Sequence, residues 1–132
     1  MRRVVRHGDG WLASAYNTDP TKFRAGLQAL RDALIEVDQD SESFPNGIAT
    51  MWTYVTEDEH KATEILENVL APMLRRDVDE LRALLPIGSA EQCAGVVQEY
   101  ADAGAERIFI WPIRDEIEKL ELFKRGVADA LK

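Results

Sequence analysis

The stretch PIGSAEQCAGVVQEYADAGAERIFIW, residues 86–111, contains a complete unit of one helix and one strand. Ser89 and Gln92 have the spacing of a capping box, which predicts a helix over residues 89–103 with Gly104 as its C′ residue. The segment IFIW at 108–111 is continuously apolar and predicts a strand that is buried on both faces. A capped helix that leads into such a strand is typical of α/β proteins.

Two further strands are predicted upstream of this unit. Residues 11–16 (WLASAY) form a short apolar run between turn residues, and residues 48–55 (IATMWTYV) are rich in β-branched and aromatic side chains. Asp19 and Pro20 predict the start of a helix between the two strands, as its N-cap and first residue. The apolar face of this helix repeats at steps of four and three, on Phe23, Leu27, Leu30, Leu34 and Val37.

Helical signals fill the remainder of the chain. Residues 56–59 (TEDE) have the capping-box pattern S/T-x-x-E and predict a helix that Pro72 ends or kinks. A short helix is predicted before Pro86, and a final helix follows Pro112. The apolar face of the final helix is predicted on Ile117, Leu120, Phe123, Val127 and Leu131. The order is β-α-β-α-α-β-α, and helices between strands imply parallel pairing with right-handed crossovers.

Composition limits the class of protein. The 132 residues are 45% hydrophobic and 30% charged, which is the balance of one globular domain and not of a disordered chain. The formal net charge of −8 argues against a nucleic-acid partner. No apolar run has membrane-spanning length, so we expect a cytoplasmic location. Cys93 is the single cysteine, which excludes an internal disulfide, and its helical spacing among apolar residues favours a small buried side chain over a reactive thiol.

The first seven residues (MRRVVRH) have the features of a helix end. Arg2, Arg3 and Arg6 favour a helix C-terminus, and Gly8 is predicted to take the left-handed cap position. Seven residues are too few for a stable isolated helix. We therefore expect residues 1–7 to be the end of an incomplete helix.

Two segments resemble the bacterial luciferase-like monooxygenases, a family of flavin- or deazaflavin-dependent (β/α)8 barrels. Residues 2–11 (RRVVRHGDGW), followed by a strand, are similar to a segment just after the middle of those chains, and residues 86–111 are similar to their last helix-strand unit. The resemblance implies a single domain over 1–132 with a partial TIM-type barrel, whose three parallel strands correspond to the sixth, seventh and eighth. Residues 1–7 then end the fifth helix, and the first five βα units have no counterpart in this chain.

Active-site groups of such barrels lie at the C-terminal ends of the strands and in the loops that follow them. Together with the resemblance, this rule makes Trp111, Tyr54, Tyr16 and Arg114 the candidates for contact with a flavin cofactor or a substrate. The alternative for Trp111 is packing inside the barrel, and for the two tyrosines it is packing in the core. The alternative for Arg114 is a solvated charge beside its acidic neighbours.

No catalytic residue and no metal site is predicted. His7 and His60 are the only histidines, and neither has partners at metal-ligand spacing. The resemblance implies FMN or a deazaflavin as the cofactor. We expect this chain alone not to bind it tightly, because in the family the missing half largely holds the flavin.

The resemblance implies a fragment or split subunit of a luciferase-like flavin-dependent monooxygenase or oxidoreductase, which acts on a small-molecule substrate once the barrel is complete. The alternative is a non-catalytic α/β module that acts through self-association or as a partner subunit. An unrelated small α/β ligand-binding domain is a third interpretation. Three strands cannot close a barrel, so we expect a homodimer or a complementary chain that carries the N-terminal half-barrel. Neither nucleic acid nor membrane is an expected partner.

Overall fold

The computed structural model describes residues 1–131, which form one parallel sheet with helices along the chain between its strands. The strands are β1 (Trp11–Ser14), β2 (Asn46–Val55), β3 (Ile87–Gly88) and β4 (Ile108–Pro112). The helices are α1 (Arg2–His7), α2 (Pro20–Ile35), α3 (Glu59–Ile65), α4 (Ala71–Leu74), α5 (Val78–Leu84), α6 (Ala90–Asp102) and α7 (Glu116–Gly126). A π-helical turn joins α3 to α4, and a 3-10 turn follows β1.

Strand β2 is the centre of the sheet. It pairs in parallel with β1 along residues 46–49 and with β4 along residues 48–53. The three predicted strands and their parallel pairing are therefore confirmed. The two-residue strand β3 pairs with Tyr54 and Val55 at the end of β2 and was not predicted, because two residues give no periodicity.

A bulge interrupts the pairing of β2 with β4. The register shifts between Ile48 and Met51, and Thr50 between them has a φ of 54°. Positive φ is rare for a β-branched residue and costs on the order of 1–3 kcal/mol. Beyond the bulge, Trp52 is paired with Trp111, so the bulge decides which side chains of the two strands become neighbours.

Aromatic contacts fix the helices to one face of the sheet. Trp11 of β1 stacks on Phe23 of α2 with ring centroids 5.0 Å apart, and Phe23 meets Tyr100 of α6 edge to face at 6.3 Å. The Tyr100 hydroxyl donates a hydrogen bond to the carbonyl of Thr18 at 3.1 Å. Burial is the main cause that raises the pKa of this phenol, so the donor stays protonated.

The helix ends agree with the sequence at three positions and differ at a fourth. Asp19 caps α2 by accepting from the Lys22 amide at 2.8 Å, and both hydrogen bonds of the Ser89–Gln92 capping box are present. Gly104 follows α6 with a φ of 99°, as predicted for its C′ residue. The cap predicted at Thr56 is wrong. Asp58 caps α3 instead, because its carboxylate reaches two free amides of the first turn.

The predicted conformation of Gly8 is also wrong. Its φ of −119° and ψ of 153° are extended, so it ends α1 without a left-handed residue. Pro72 does not end its helix. The wider π-helical turn directly before it accommodates a residue that has no N–H to donate, and the helix continues to Leu74.

Three predicted faces differ from the observed ones. Val37 lies beyond the end of α2 and is exposed. Strand β4 is buried on one face only, since Phe109 and Trp111 are exposed on the other. In α7, the side chains of Phe123 and Val127 are buried as predicted, whereas those predicted at the first turns, Ile117 and Leu120, are exposed.

Cys93 is fully buried on the helix-covered side of the sheet, as expected for a small packed side chain. It belongs to a cluster that joins α6, α7 and the end of β2 and comprises Val55, Cys93, Val97, Phe123 and Val127. Burial, and secondarily the carboxylate of Glu57, raises the pKa of this thiol from 9.0 to about 12. The thiol is therefore neutral over the whole physiological range.

Two alanine substitutions near the same helix should change stability in opposite directions. Gly95 lies inside α6 and an added Cβ would meet nothing within 4 Å, so Gly95→Ala should raise the free energy of unfolding by about 0.5–1 kcal/mol. At Gly104 the φ is positive and an added Cβ would lie 2.8 Å from Leu27, so Gly104→Ala should lower it by about 1 kcal/mol or more. Urea melts measure both, and equal midpoints for the two variants would contradict the assigned helix end.

The Cys93 thiol should resist alkylation in the folded protein. At pH 8 we expect iodoacetamide to react on the order of a hundredfold more slowly without urea than in urea, because burial suppresses the thiolate. Since the folded pKa is the raised one, its contribution to stability is complete below pH 9.0 and is lost as the pH rises toward about 12. Cys93→Ala should remove that part of the alkaline loss, and rapid native alkylation would contradict the buried placement.

Candidate functional site

The sheet surface opposite the helices is called the open face here. Its strand residues alternate with those that pack on the helices, and they are Leu12 and Ser14 of β1, Ala49, Trp52 and Tyr54 of β2, and Phe109 and Trp111 of β4. Because the three strands are parallel, their carboxyl ends point to the same edge of the sheet, and they are staggered: β1 ends level with Ala49 of β2, and β4 ends level with Thr53. This edge is where α/β barrels place their ligands.

Two tryptophans form an aromatic wall at the carboxyl end of β4. Trp111 and Trp52 meet edge to face with centroids 5.1 Å apart and an interplanar angle of 86°. Trp111 is 43% exposed, so part of this side chain is open to solvent. The indole N–H of Trp52 is buried and has no hydrogen-bond partner among the described residues. A buried donor without an acceptor is uncommon and costs free energy.

Tyr54 lies two residues beyond Trp52 and is buried. The ammonium of Lys119, from α7, lies 4.6 Å from the centroid of its ring, which is the geometry of a cation–π contact. Lys119 is itself buried, and its one carboxylate partner among the described residues is the exposed Glu118 at 3.3 Å. The first turns of α7 therefore cover the end of β2.

A pair of hydroxyl groups lies lower on the open face. Ser14 Oγ and Thr50 Oγ1 are 2.8 Å apart, and the Thr50 hydroxyl also donates to the carbonyl of Ala49 at 2.7 Å. The bulge at Thr50 brings this side chain to β1. The pair is the polar element of an otherwise apolar and aromatic strand surface.

The structure separates the four candidate residues predicted from the sequence. Trp111 and Tyr54 lie along the carboxyl edge, each with a partner that was not predicted to be functional. Tyr16 is half-buried in the 3-10 turn after β1, packs against the main core and takes part in no ring pair with another described residue. Arg114 is exposed and makes no hydrogen bond or ion pair with residues 1–131.

Three groups of the edge were missed by sequence reasoning. The alternation of Trp52 with Tyr54 places both residues on the same face of a strand, but nothing in the sequence shows the contact of Trp52 with Trp111. Ser14 could have been found from the sequence, because it lies two residues after Leu12 in a predicted strand and is therefore a polar residue on the same face. No sequence signal identifies Lys119, since a lysine among Glu116, Glu118 and Glu121 is typical of a solvent-exposed helix surface.

The strand residues of the open face offer aromatic surfaces and hydroxyl groups for binding. The strand residues of the open face include no histidine, carboxylate or thiol, and Cys93 lies on the other side of the sheet. Among residues 1–131, no cluster of three or more metal-ligating side chains is found. Within the same residues no helix is long and apolar enough to cross a membrane.

Comparisons with known proteins give a likeness of fold. No protein-family model and no curated protein matches the chain. An F420-dependent secondary alcohol dehydrogenase, solved in complex with an F420–acetone adduct, matches with a TM-score of 0.81 and 14% identity, over 99% of this chain and 46% of its own. The coenzyme F420-dependent tetrahydromethanopterin reductase from Methanopyrus kandleri matches with a TM-score of 0.70 and 14% identity, over 99% of this chain and 48% of its own.

The chain thus spans about half the length of these solved structures. The expectation of a partial TIM-type barrel is confirmed at the level of fold. Described residues 1–131 provide three strands of such a barrel, β1, β2 and β4, with their helices.

Proposed function

We propose that this chain is part of a deazaflavin-dependent oxidoreductase barrel of the luciferase-like kind, and that it supplies one wall of the cofactor and substrate site. The site lies at the carboxyl edge of β1, β2 and β4. The remaining strands of the barrel come from polypeptide outside the described residues.

One observation carries this proposal: the whole chain matches less than half of two structures that are both F420-dependent oxidoreductases. A domain that merely shares general α/β packing would leave segments of its own unmatched. Here 99% of the chain is matched in each case, and the unmatched part lies entirely in the other protein. The chain therefore has the shape of a barrel section.

The residues of the carboxyl edge fit the flat ring of a deazaflavin. The exposed part of Trp111 offers an aromatic surface for such a ring, and the Trp52 indole N–H is a buried donor that lacks an acceptor among residues 1–131. Lys119 adds a buried positive charge close to the same edge. No cluster of basic side chains that would hold a phosphate group is present on the open face within residues 1–131.

A bound deazaflavin would supply hydride transfer, and the residues of this chain would set its surroundings. Trp111 and Phe109 exclude water from the face against which the ring and substrate lie. The Ser14–Thr50 hydroxyl pair provides hydrogen bonds to an uncharged polar group of a ligand in an apolar wall. We assign no proton donor or acceptor of the reaction to the strand residues of the open face.

The chain alone should bind neither FMN nor coenzyme F420 tightly, because it offers one wall and no phosphate site. Titration followed by cofactor fluorescence should show no saturation at low micromolar concentration. A sub-micromolar dissociation constant for either cofactor would contradict the assignment of one wall to this chain.

The completed barrel, isolated from the native host through a tag on this chain, should bind coenzyme F420. Trp111→Ala in that complex should weaken binding by roughly tenfold or more, on the scale of one lost aromatic stacking contact of about 1–3 kcal/mol. Met73→Ala is the matched control, since Met73 is equally exposed but lies on α4, away from the carboxyl edge. A completed barrel that binds no deazaflavin would contradict the proposed function.

A further inference from the structure

Two apolar surfaces of the chain have no partner. On the open face, the side chains of Leu12, Phe109 and Trp111 are 58%, 48% and 43% exposed. On α7, Ile117 and Leu120 are 79% and 43% exposed and lie one helical turn apart. The second surface is called the α7 stripe. Large apolar side chains exposed in groups mark places where another polypeptide packs.

The orientation of α7 shows that the α7 stripe is not an ordinary surface. The helix buries Lys119 and exposes its apolar neighbours, whereas a helix on the surface of a finished domain buries its apolar face. The contact of Lys119 with the Tyr54 ring holds this orientation.

We infer that the open face and the α7 stripe together bind a complementary polypeptide that continues the sheet from both of its edges, and not a second copy of this chain. This inference rests on the half-barrel proposed above and identifies the kind of polypeptide that covers the open face and the α7 stripe. The partner is a polypeptide of parallel βα units with an apolar inner face. Closure of an eight-stranded barrel from three strands requires five such units.

The two sheet edges favour this partner. Within residues 1–131, β1 pairs with β2 alone and β4 pairs with β2 alone, so each leaves one row of backbone groups without a strand partner. Neither strand contains a lysine, and neither has a proline before its last residue, so both lack the usual protection against pairing. A polypeptide with a strand at each end satisfies both edges in one complex.

The available area disfavours a second copy. Strands β1, β2 and β4 have 4, 10 and 5 residues, which at about 3.3 Å per residue and about 4.8 Å between strands gives an open face of roughly 300 Å². A stable interface buries about 800 Å² on each partner. Two open faces packed together fall short of that area and leave all four sheet edges unpaired.

The net charge of the chain also disfavours a second copy as the partner. The strands of the open face contain no charged residue, while the chain as a whole has a formal net charge of −8. Two copies brought face to face would gain no ion pair between their open faces, and their equal net charges would repel each other. A partner of different sequence need not carry the same net charge.

The test compares the tagged chain alone with the complex isolated from the native host. Light scattering of the chain alone should give no defined species at twice its mass of 14.9 kDa, and a hydrophobic dye should bind to it. The isolated complex should contain one copy of this chain and one polypeptide whose sequence shows about five βα units, and it should not bind the dye.

Charged substitutions on each surface identify the interface. Leu12→Asp and Phe109→Asp on the open face and Ile117→Asp on the α7 stripe should each reduce recovery of the complex at least tenfold. Met73→Asp, on exposed α4, should leave recovery unchanged. Circular dichroism of each isolated variant confirms that it folds, and loss of complex by a folded variant is the supporting result.

Three results would overturn the inference: a stable dimer of the chain alone that Phe109→Asp dissociates, a monomer that binds no dye, or a partner retained by all three variants. The proposed function is judged separately. A 1:1 complex that the variants disrupt but that binds no deazaflavin would leave this interface in place and contradict the oxidoreductase proposal.

Discussion

The pairing of β2 on both of its sides is the interaction on which the rest of the structure depends. It fixes β1 and β4 in parallel, so every connection must cross over a face of the sheet, and the crossovers place the helices together on one face. The contacts of Trp11, Phe23 and Tyr100 then hold that layer. Within residues 1–131, β1, β2 and β4 alone lie side by side, and this arrangement leaves one face and two edges without partners. The candidate site and the candidate interface both follow from this incompleteness.

The bulge at Thr50 shows how the central strand serves the site at a cost in stability. A regular β2 would keep its pairing with β4 unshifted and would not bring a hydroxyl to Ser14. The observed strand accepts a β-branched residue at positive φ, and in return the tryptophans become neighbours and the polar pair forms. Strained residues of this kind concentrate at functional sites, and this one lies on the open face. The strain is therefore consistent with a ligand wall and has no evident value for packing alone.

The sequence predicted most of the fold, because its signals are local. Asp19 and Ser89 cap helices through contacts within three residues, and the apolar runs of β2 and β4 identify strands without knowledge of their partners. The errors arise where two local signals compete or where contacts between distant parts of the chain determine the structure. Thr56 and Asp58 are both good caps, and the chain direction after β2 selects Asp58. Of the candidate site, the ends of the strands were predictable from parallel order, whereas the Ser14–Thr50 pair depends on a bulge that no periodicity shows.

The first turns of α7 show the limit of pattern analysis most clearly. Apolar periodicity over Ile117, Leu120 and Phe123 predicts one continuous buried face, and the pattern itself is real. The pattern does not show which polypeptide covers those side chains. In this chain Phe123 is covered by α6 and β2, whereas Ile117 and Leu120 are exposed. Helix α7 thus has one apolar surface that packs on this chain and a second that is exposed. Lys119 lies on the side that faces the sheet of this chain. An apolar pattern that the chain's own fold leaves half exposed is what a section of a larger barrel should contain, since its sequence is suited to contacts that the section alone cannot make.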